Sequence, residues 1–406
     1  MTPLARTSSR TLALGTTGAL VAGLIAAAAP AHAAVNVDVP PTKTISGELS
    51  GPIGIEDDAA GNIYLASQLN NAIVVHRKNA SGASAPLRRI SGPATQLSFP
   101  RDVAFDTNRF LYVANGNGLV LVFPPNANGN VAPIRTFGTG AGTSYAIDIA
   151  GGEIYVRKAT SYHVYSPAAA GSPAPTERTV SGLGFGQALK VFGTKVWVPS
   201  GTQLRAYSRS ADGAATPIQA VNNALPAAEI NGVDADPSGR VFVSAFNGTV
   251  RVFSPSADGN DGPLKVLGGP ASGLNSSTGI EVLSGGAIAV ANYFDSRYSV
   301  FPDLFKKPAT KPGKVRALKV GGKQKSKVRK VSWKAPASNG GAKITSYRIV
   351  VKKGSKVLVK RTVSGSKRAL VVKRSKLRNG VNTVYVHAKN SKGYGKVAKK
   401  SFRVRK

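Results

Sequence analysis

Pro100-Arg-Asp-Val-Ala-Phe-Asp106 is followed by Phe110-Leu-Tyr-Val-Ala-Asn115, then Leu119-Val-Leu-Val-Phe123, then Ala132-Pro-Ile-Arg-Thr-Phe-Gly138. Each run is short, apolar or alternating, and rich in β-branched and aromatic residues. Gly, Pro, Asn or Asp bounds each run, so each is expected to form a strand. The four-strand unit recurs. Its third strand ends at His76, Phe123, Tyr165, Tyr207, Phe253 and Phe301, spaced by 47, 42, 42, 46 and 48 residues. The second strand returns as Ile63-Tyr-Leu-Ala, Leu111-Tyr-Val-Ala, Ile154-Tyr-Val, Val196-Trp-Val, Val241-Phe-Val and Ile288-Ala-Val-Ala. The fourth returns around Arg88-Arg-Ile-Ser-Gly92, Arg178-Thr-Val-Ser-Gly182 and Pro263-Leu-Lys-Val-Leu-Gly268.

Six such copies predict an all-β fold, a six-bladed β-propeller over residues 34–302. The last copy lacks its own fourth strand, because the chain leaves at Phe301-Pro302. Lys43-Thr-Ile-Ser-Gly47 has the fourth-strand pattern and precedes the first copy, so this N-terminal strand is expected to complete the last blade. Circular closure removes exposed sheet edges. The repeats resemble NHL-repeat propellers. They also resemble Tyr-Val-Thr-Asn repeat propellers, through Tyr112-Val-Ala-Asn115 and Ala289-Val-Ala-Asn292. The resemblance covers 42–302 and speaks to architecture. Propellers of this type include scaffolds, binding modules, lyases and lactonases.

A Lys- and Pro-rich linker is expected at 303–313. Seven alternating runs follow: Val315–Val320, Val328–Trp333, Ser346–Lys352, Val357–Val363, Ala369–Lys373, Val381–Lys389 and Val397–Val404. They predict an immunoglobulin-like β-sandwich over 314–406. Val331-Ser-Trp-Lys-Ala-Pro336, Asn339-Gly-Gly-Ala-Lys-Ile-Thr-Ser-Tyr-Arg348, Leu377-Arg-Asn-Gly380 and Ala388-Lys-Asn-Ser-Lys-Gly-Tyr-Gly395 resemble a fibronectin type III module. One departure stands out: the usual late-strand tyrosine, six residues before Ala388, is Asn382. Its corner hydrogen bond must be lost or remade. The resemblance implies a spacer or binding module and no catalysis.

Charge divides the chain as sharply as the pattern does. Residues 303–406 hold 33 of the 54 Lys and Arg and one acid, Asp303, a net of +32. Residues 34–302 net +1. Alternation places Tyr347, Ile349 and Val351 inward and Arg348 and Lys352 toward solvent. Lys323, Lys325, Lys327, Arg329 and Lys330 put five cations into eight residues, and Lys392, Lys396, Lys399 and Lys400 form a second cluster. Ordinary surfaces mix both signs, and a single-sign field opposes folding by self-repulsion. These cations are therefore read as a polyanion-binding surface. The candidate partners are anionic cell-wall or envelope polymers, with non-specific nucleic acid compatible with the same charge. A protein or glycan is the candidate partner for the propeller face. Lys outnumbers Arg here, and no aromatic platform interleaves the basic tract. Both facts favour diffuse retention over base-specific recognition.

Residues 1–33 read as a secretory signal. Arg6 and Arg10 precede an apolar run from Leu12 to Ala29, and Ala31-His32-Ala33 fits a small-x-small cleavage site. No twin-arginine pair accompanies the run, which favours the general secretory route. No second apolar run of about 18 residues follows, so no transmembrane segment is expected after cleavage. There is no cysteine, so the exported chain must rely on hydrophobic cores. High Ala and Gly with a single Met fits a GC-rich, actinobacterial-type source. The expected location is extracellular and cell-wall associated.

Catalytic signatures are sparse. His76, His163 and His387 stand apart from one another and from paired acids in sequence, and read as surface or packing residues. Asp234-Ala-Asp-Pro-Ser-Gly239 imitates the start of a calcium loop but has Ala245 where the twelfth-position Glu belongs. It aligns with Asp58-Ala-Ala-Gly61 and reads as a tight turn. One constellation survives. Aligned first strands place Glu56, Ala104, Asp148, Lys190, Asp234 and Glu281 at one position lining the channel. Glu56, Asp148, Asp234 and Glu281 could hold Ca²⁺ or a similar divalent cation, and gluconolactonase-type propellers use a comparable arrangement. Lactonase- and lyase-type relatives often rely on central His or Asn ligands, and no first strand here carries a His. The expectation is a non-enzymatic binding and adhesion protein with no obligate cofactor. The alternative is a metal-dependent, lactonase-like hydrolase or lyase.

Overall fold

The computed structural model describes residues 34–224, 230–306 and 309–405, and the expected secretory signal lies outside them. The chain divides into two compact units, Met1–Leu304 and Phe305–Lys406.

The first unit is all-β, built of propeller-like four-stranded antiparallel sheets. Its innermost strands are Pro52–Asp57, Pro100–Phe105, Ala146–Ala150, Lys190–Phe192, Ile230–Ala235 and Ser277–Val282. Each packs on the next, and Ser277–Val282 packs on Pro52–Asp57, so the circuit of inner strands closes. The second strands Ile63–Ser67, Leu111–Asn115, Val241–Ala245 and Ile288–Asn292 are buried throughout. A strand covered on both faces needs a continuous apolar run, which is what these sequences supply. Asp58, Asp106 and Asp236 shape the turns between first and second strands. Each carboxylate takes two backbone N–H bonds, from residues two and four places on, at 2.9–3.0 Å. The calcium-loop lookalike is thus a turn.

Glycine permits the close approach of inner strands. A Cβ on Gly54 would collide with Asp102 of the next sheet, and one on Gly279 with the Ile53 carbonyl.

The N-terminal segment works at two places. Lys43–Ile45 pairs antiparallel with Arg297–Phe301 and supplies the missing fourth strand. Val35–Val37 pairs in parallel with Lys265–Leu267, an addition the repeat pattern did not announce. A second repeated motif explains it. Ala80-Ser-Gly82, Ala127-Asn-Gly129, Ala211-Asp-Gly213 and Ala257-Asp-Gly259 are turns between third and fourth strands. Their glycines form parallel bridges to Ile45, Ile90, Val180 and Val221 on the outer strand of the preceding sheet. Asn128, Asp212 and Asp258 reinforce three of these bridges by accepting the N–H of Arg89, Thr179 and Ala220 at 2.7–3.0 Å. The last sheet has no such turn, because the chain leaves after its third strand. Val35–Val37 takes the vacant position on the Lys265–Leu267 strand.

The second unit has a three-stranded sheet of Arg316–Gly321, Val328–Lys334 and Ala369–Lys373. A larger sheet joins Lys356–Ser364, Ser346–Lys353, Gly380–Asn390 and Ala398–Val404, with the short Gly393–Tyr394 pairing Gly380–Asn390. All seven expected strands form within a residue or two of their expected bounds. Both sheets contribute to one core that includes Trp333, Tyr347, Ile349, Val351, Val372 and Val384. Asn382 is fully buried at the corner. Its amide donates to the carbonyls of Arg378 at 2.7 Å and Gly380 at 3.1 Å. Part of the expected linker is fastened to this unit: the Thr310 N–H donates to Gly340 at 2.7 Å, and Asn390 donates to the Thr310 carbonyl at 2.7 Å.

If Lys43–Ile45 closes the last sheet, truncating its buried anchor should be costly. Ile45 is 1% exposed, against 51% for Val35. Ile45→Ala should lower stability by about 2–4 kcal/mol in urea melts, and Val35→Ala by less than about 0.5 kcal/mol. Equal, small effects would show that the strand is not structural.

Candidate functional site

The aligned channel position is real in three dimensions. Glu56, Ala104, Asp148, Lys190 and Asp234 sit opposite Tyr64, Tyr112, Tyr155, Trp197 and Phe242 of their second strands, and Glu281 sits opposite Ala289. The channel cavity is only about 40 Å³, with Arg101 and Tyr145 among its lining residues. That admits a few waters, since one needs roughly 10–15 Å³ on this measure.

The acids there are largely committed. The Asp148 carboxylate accepts the Val191 N–H of the next inner strand at 2.7 Å. Asp234 accepts the Val282 N–H at 2.6 Å. Asp102, which the column of aligned residues omits, accepts the Ile147 N–H at 3.0 Å. These three carboxylates tie one sheet to the next. Asp102 stands two residues before Ala104 in regular alternation, one step along the same face, so a column taken at a single position does not include it.

Lys190 is the cation of the channel. Its ammonium lies 3.2 Å from Asp234 and 3.8 Å from Glu56. Burial works to lower its pKa, but Asp234, Glu56, Asp148 and Glu281 together hold it well above the usual lysine value. One ammonium cannot compensate all these acids. Burial pushes the Glu56 carboxyl up to about 8, with Asp148 and Asp234 adding to the rise against Lys190. Burial also lifts Asp102 to about 7 and Asp57 to about 6. Asp148 and Glu281 are raised by the same cause. At neutral pH the channel therefore keeps protons on some of its carboxyls. Among the described residues, no three His, Cys, Asp or Glu side chains gather as a metal-ligand set. Of the expected quartet, Glu56, Asp148 and Glu281 line the cavity and Asp234 meets it through Lys190; Asp148 and Asp234 are engaged by backbone N–H groups, and Lys190 draws on Glu56 and Asp234.

The histidines do not assemble a site. His76 is buried against Tyr298. His163 bonds Ser161 at 3.0 Å, and His387 Nδ1 meets the Gly395 carbonyl at 3.1 Å.

On the basic unit, Lys323, Lys325, Lys327, Lys330, Lys392, Lys396, Lys399 and Lys400 are exposed as expected. Arg329 is not, and its assignment to the binding surface is corrected. It is 5% exposed, lies over Phe402 at 5.1 Å and donates to the Lys323 carbonyl at 2.8 Å. Strand alternation puts it on the inward side with Val331 and Trp333. Arg348 and Lys352 are half-buried. The Arg348 guanidinium stacks 3.5 Å from the Tyr394 ring centroid, and Lys352 lies 5.6 Å from that of Tyr385.

Sequence reasoning also passed over an aromatic belt. Phe99, Phe185, Phe246 and Phe294 are exposed, the last by 71%. Phe99 and Phe185 precede first strands, and Phe246 and Phe294 follow second strands. Both kinds of loop lie at the same end of the sheets. Phe246 and Phe294 touch ring to ring at 5.4 Å across neighbouring sheets.

No family model matches the sequence, and no curated protein matches it. Among solved structures the chain is similar to the WD40 β-propeller domain of Doa1, at 11% identity and a TM-score of 0.46, covering 66% of this chain and 97% of that one. It is also similar to the extracellular domain of the one-component system BT4673 from B. thetaiotaomicron, at 9% identity and a TM-score of 0.45, covering 88% of this chain and 57% of that one. At these identities the likeness bears on fold alone.

The channel chemistry sets a pH response. Glu56, Asp102 and Asp57 hold their protons more tightly folded than unfolded. Their contribution to stability is complete below the ordinary carboxylate range and is lost as pH rises through about 6, 7 and 8 in turn. Urea melts between pH 5 and 9 should show the first unit weakening, and Glu56→Gln should flatten that fall. Lys190→Met should destabilise by about 3–5 kcal/mol at pH 9 and by less at pH 5, where the acids can take up protons. A pH-independent cost would refute this account of the channel.

Proposed function

We propose that this chain is a secreted, non-enzymatic adhesion protein: a six-bladed, NHL-like propeller joined to a cationic fibronectin type III module. The module retains the protein on anionic cell-wall or matrix polymers, and the propeller presents a binding face to a protein or glycan. One observation carries the reading. The module has no Asp or Glu after Asp303, so its exposed lysines have no side-chain carboxylate of their own module to pair with. A polyanion would supply the missing charge and release its counterions on binding.

The propeller's role as a presenting surface is supported by the Phe99, Phe246 and Phe294 side chains exposed at one end of its sheets. Phe246 and Phe294 meet ring to ring, and adjoining exposed apolar rings mark an interaction surface more often than single ones do. Support for binding over metal-dependent hydrolysis comes from the channel. Asp148 and Asp234 serve inter-sheet bonds, and Lys190 sits against Asp234 and Glu56 where a cation would otherwise bind.

Sedimentation with purified cell walls tests the proposal. The full chain should sediment at low salt and be released steeply as salt rises. A chain lacking 303–406 should stay in solution. Lys323→Glu, Lys325→Glu and Lys327→Glu together should reduce the salt slope by about one unit per wall-contacting cation removed. Arg329→Ala should lower the module's melting temperature and leave the slope unchanged. Sedimentation of the truncated chain equal to that of the full chain would overturn the assignment.

A further inference from the structure

One end of the basic module opens into a cavity of about 1070 Å³. Leu377 and Val404 are buried in its lining, and Leu358 is half-buried there. Val328 and Val357 stand at its lip, 45% and 50% exposed. Around them Lys327, Lys356, Lys373, Lys376 and Arg378 reach solvent. Arg374 serves the architecture. Its backbone N–H donates to the Lys327 carbonyl and its Nη1 to the Lys325 carbonyl, both at 2.9 Å. These bonds fix the Arg374–Lys376 turn against the 325–327 loop.

We propose that this opening docks on an anionic phospholipid bilayer, with Val328 and Val357 entering the headgroup boundary and the lysines engaging lipid phosphates. The charge of the rim requires an anionic occupant. The apolar lip then chooses among anionic occupants. A wall polymer gains nothing from the two lip valines, and Lys323, Lys325 and the Lys392–Lys400 tract offer it charge away from them. At a bilayer both features count. Lysine stems lie along apolar surface while their ammonium groups stay among the phosphates. Cations near an anionic leaflet are held by its surface potential, and shallow apolar insertion adds to that attraction. The inference goes beyond retention on polymers: the two surfaces share Lys327, but Val328, Val357, Lys356 and the 373–378 turn belong to the opening, so substitutions at the valines separate them.

The experiment compares the full chain on vesicles and on a soluble polyanion. Wild type should co-sediment with phosphatidylglycerol-containing vesicles and not with pure phosphatidylcholine vesicles. Val328→Ser with Val357→Ser keeps every charge and should lower the vesicle partition coefficient about five- to tenfold. Its salt of elution from immobilised heparin should not change. The absence of native cysteine permits a second readout. An environment-sensitive fluorophore on Ser375→Cys, inside the opening, should shift to the blue with phosphatidylglycerol vesicles and not with polyphosphate. The same label on the exposed Ser366→Cys should not shift. Unchanged partitioning of the double variant, equal shifts at both labels, or no binding to anionic vesicles would each overturn the bilayer proposal. Wall sedimentation, measured separately, would remain as the test of polymer retention.

Discussion

The first unit depends on how its ends meet. A circuit of sheets has no edges only if its last sheet is completed, and here the completing strand, Lys43–Ile45, comes from the opposite end of the unit. With no cysteine in the chain, no covalent bond holds the ring shut. The closure instead rests on a three-residue ladder, the buried Ile45 side chain and its parallel bridge to Gly82. The outer circuit needs the same completion. Four Ala-x-Gly turns bridge to a preceding sheet, and Val35–Val37 covers the place where the last sheet has none. One N-terminal segment therefore closes both circuits.

Much of this was legible in the repeat. The strand pattern, the missing fourth strand and its replacement follow from spacing and alternation. The channel column also aligned correctly, residue by residue. What alignment could not convey was the use of those acids. The donor for Asp148 is Val191, and the donor for Asp234 is Val282, each on the following repeat. A column groups equivalent side chains and hides the offset backbone groups that they bond. Asp102 escaped because it stands two residues before the column position on the same face, where the other repeats carry Gly or Ala.

In the basic module, the strand parity that placed Tyr347, Ile349 and Val351 inward applies equally to Arg329, Val331 and Trp333. Parity alone would have buried Arg329, and its membership in a cationic run argued the other way. Burial succeeds because the guanidinium reaches a carbonyl and its plane covers Phe402. Asn382 shows the converse. The departure from tyrosine was visible, but not that a shorter amide could reach Arg378 and Gly380 from the same strand position.

The two units manage charge by opposite means. The propeller-like unit encloses carboxylates around one lysine and lets burial hold protons on several of them. The basic module has almost no acids, and aromatic rings take part of the role that carboxylates would play. Arg348 lies on Tyr394, Lys352 near Tyr385, Arg368 near Tyr347 and Arg329 on Phe402. Each such contact contributes roughly 0.5–1 kcal/mol at exposed sites. A ring quadrupole steadies a cation without neutralising it, so the long-range field of the module survives its own folding. Among the described residues, the lysines of the turns and of the open end have no such ring partner. Repulsion among them therefore persists in the folded module, and it is of the kind that salt screens.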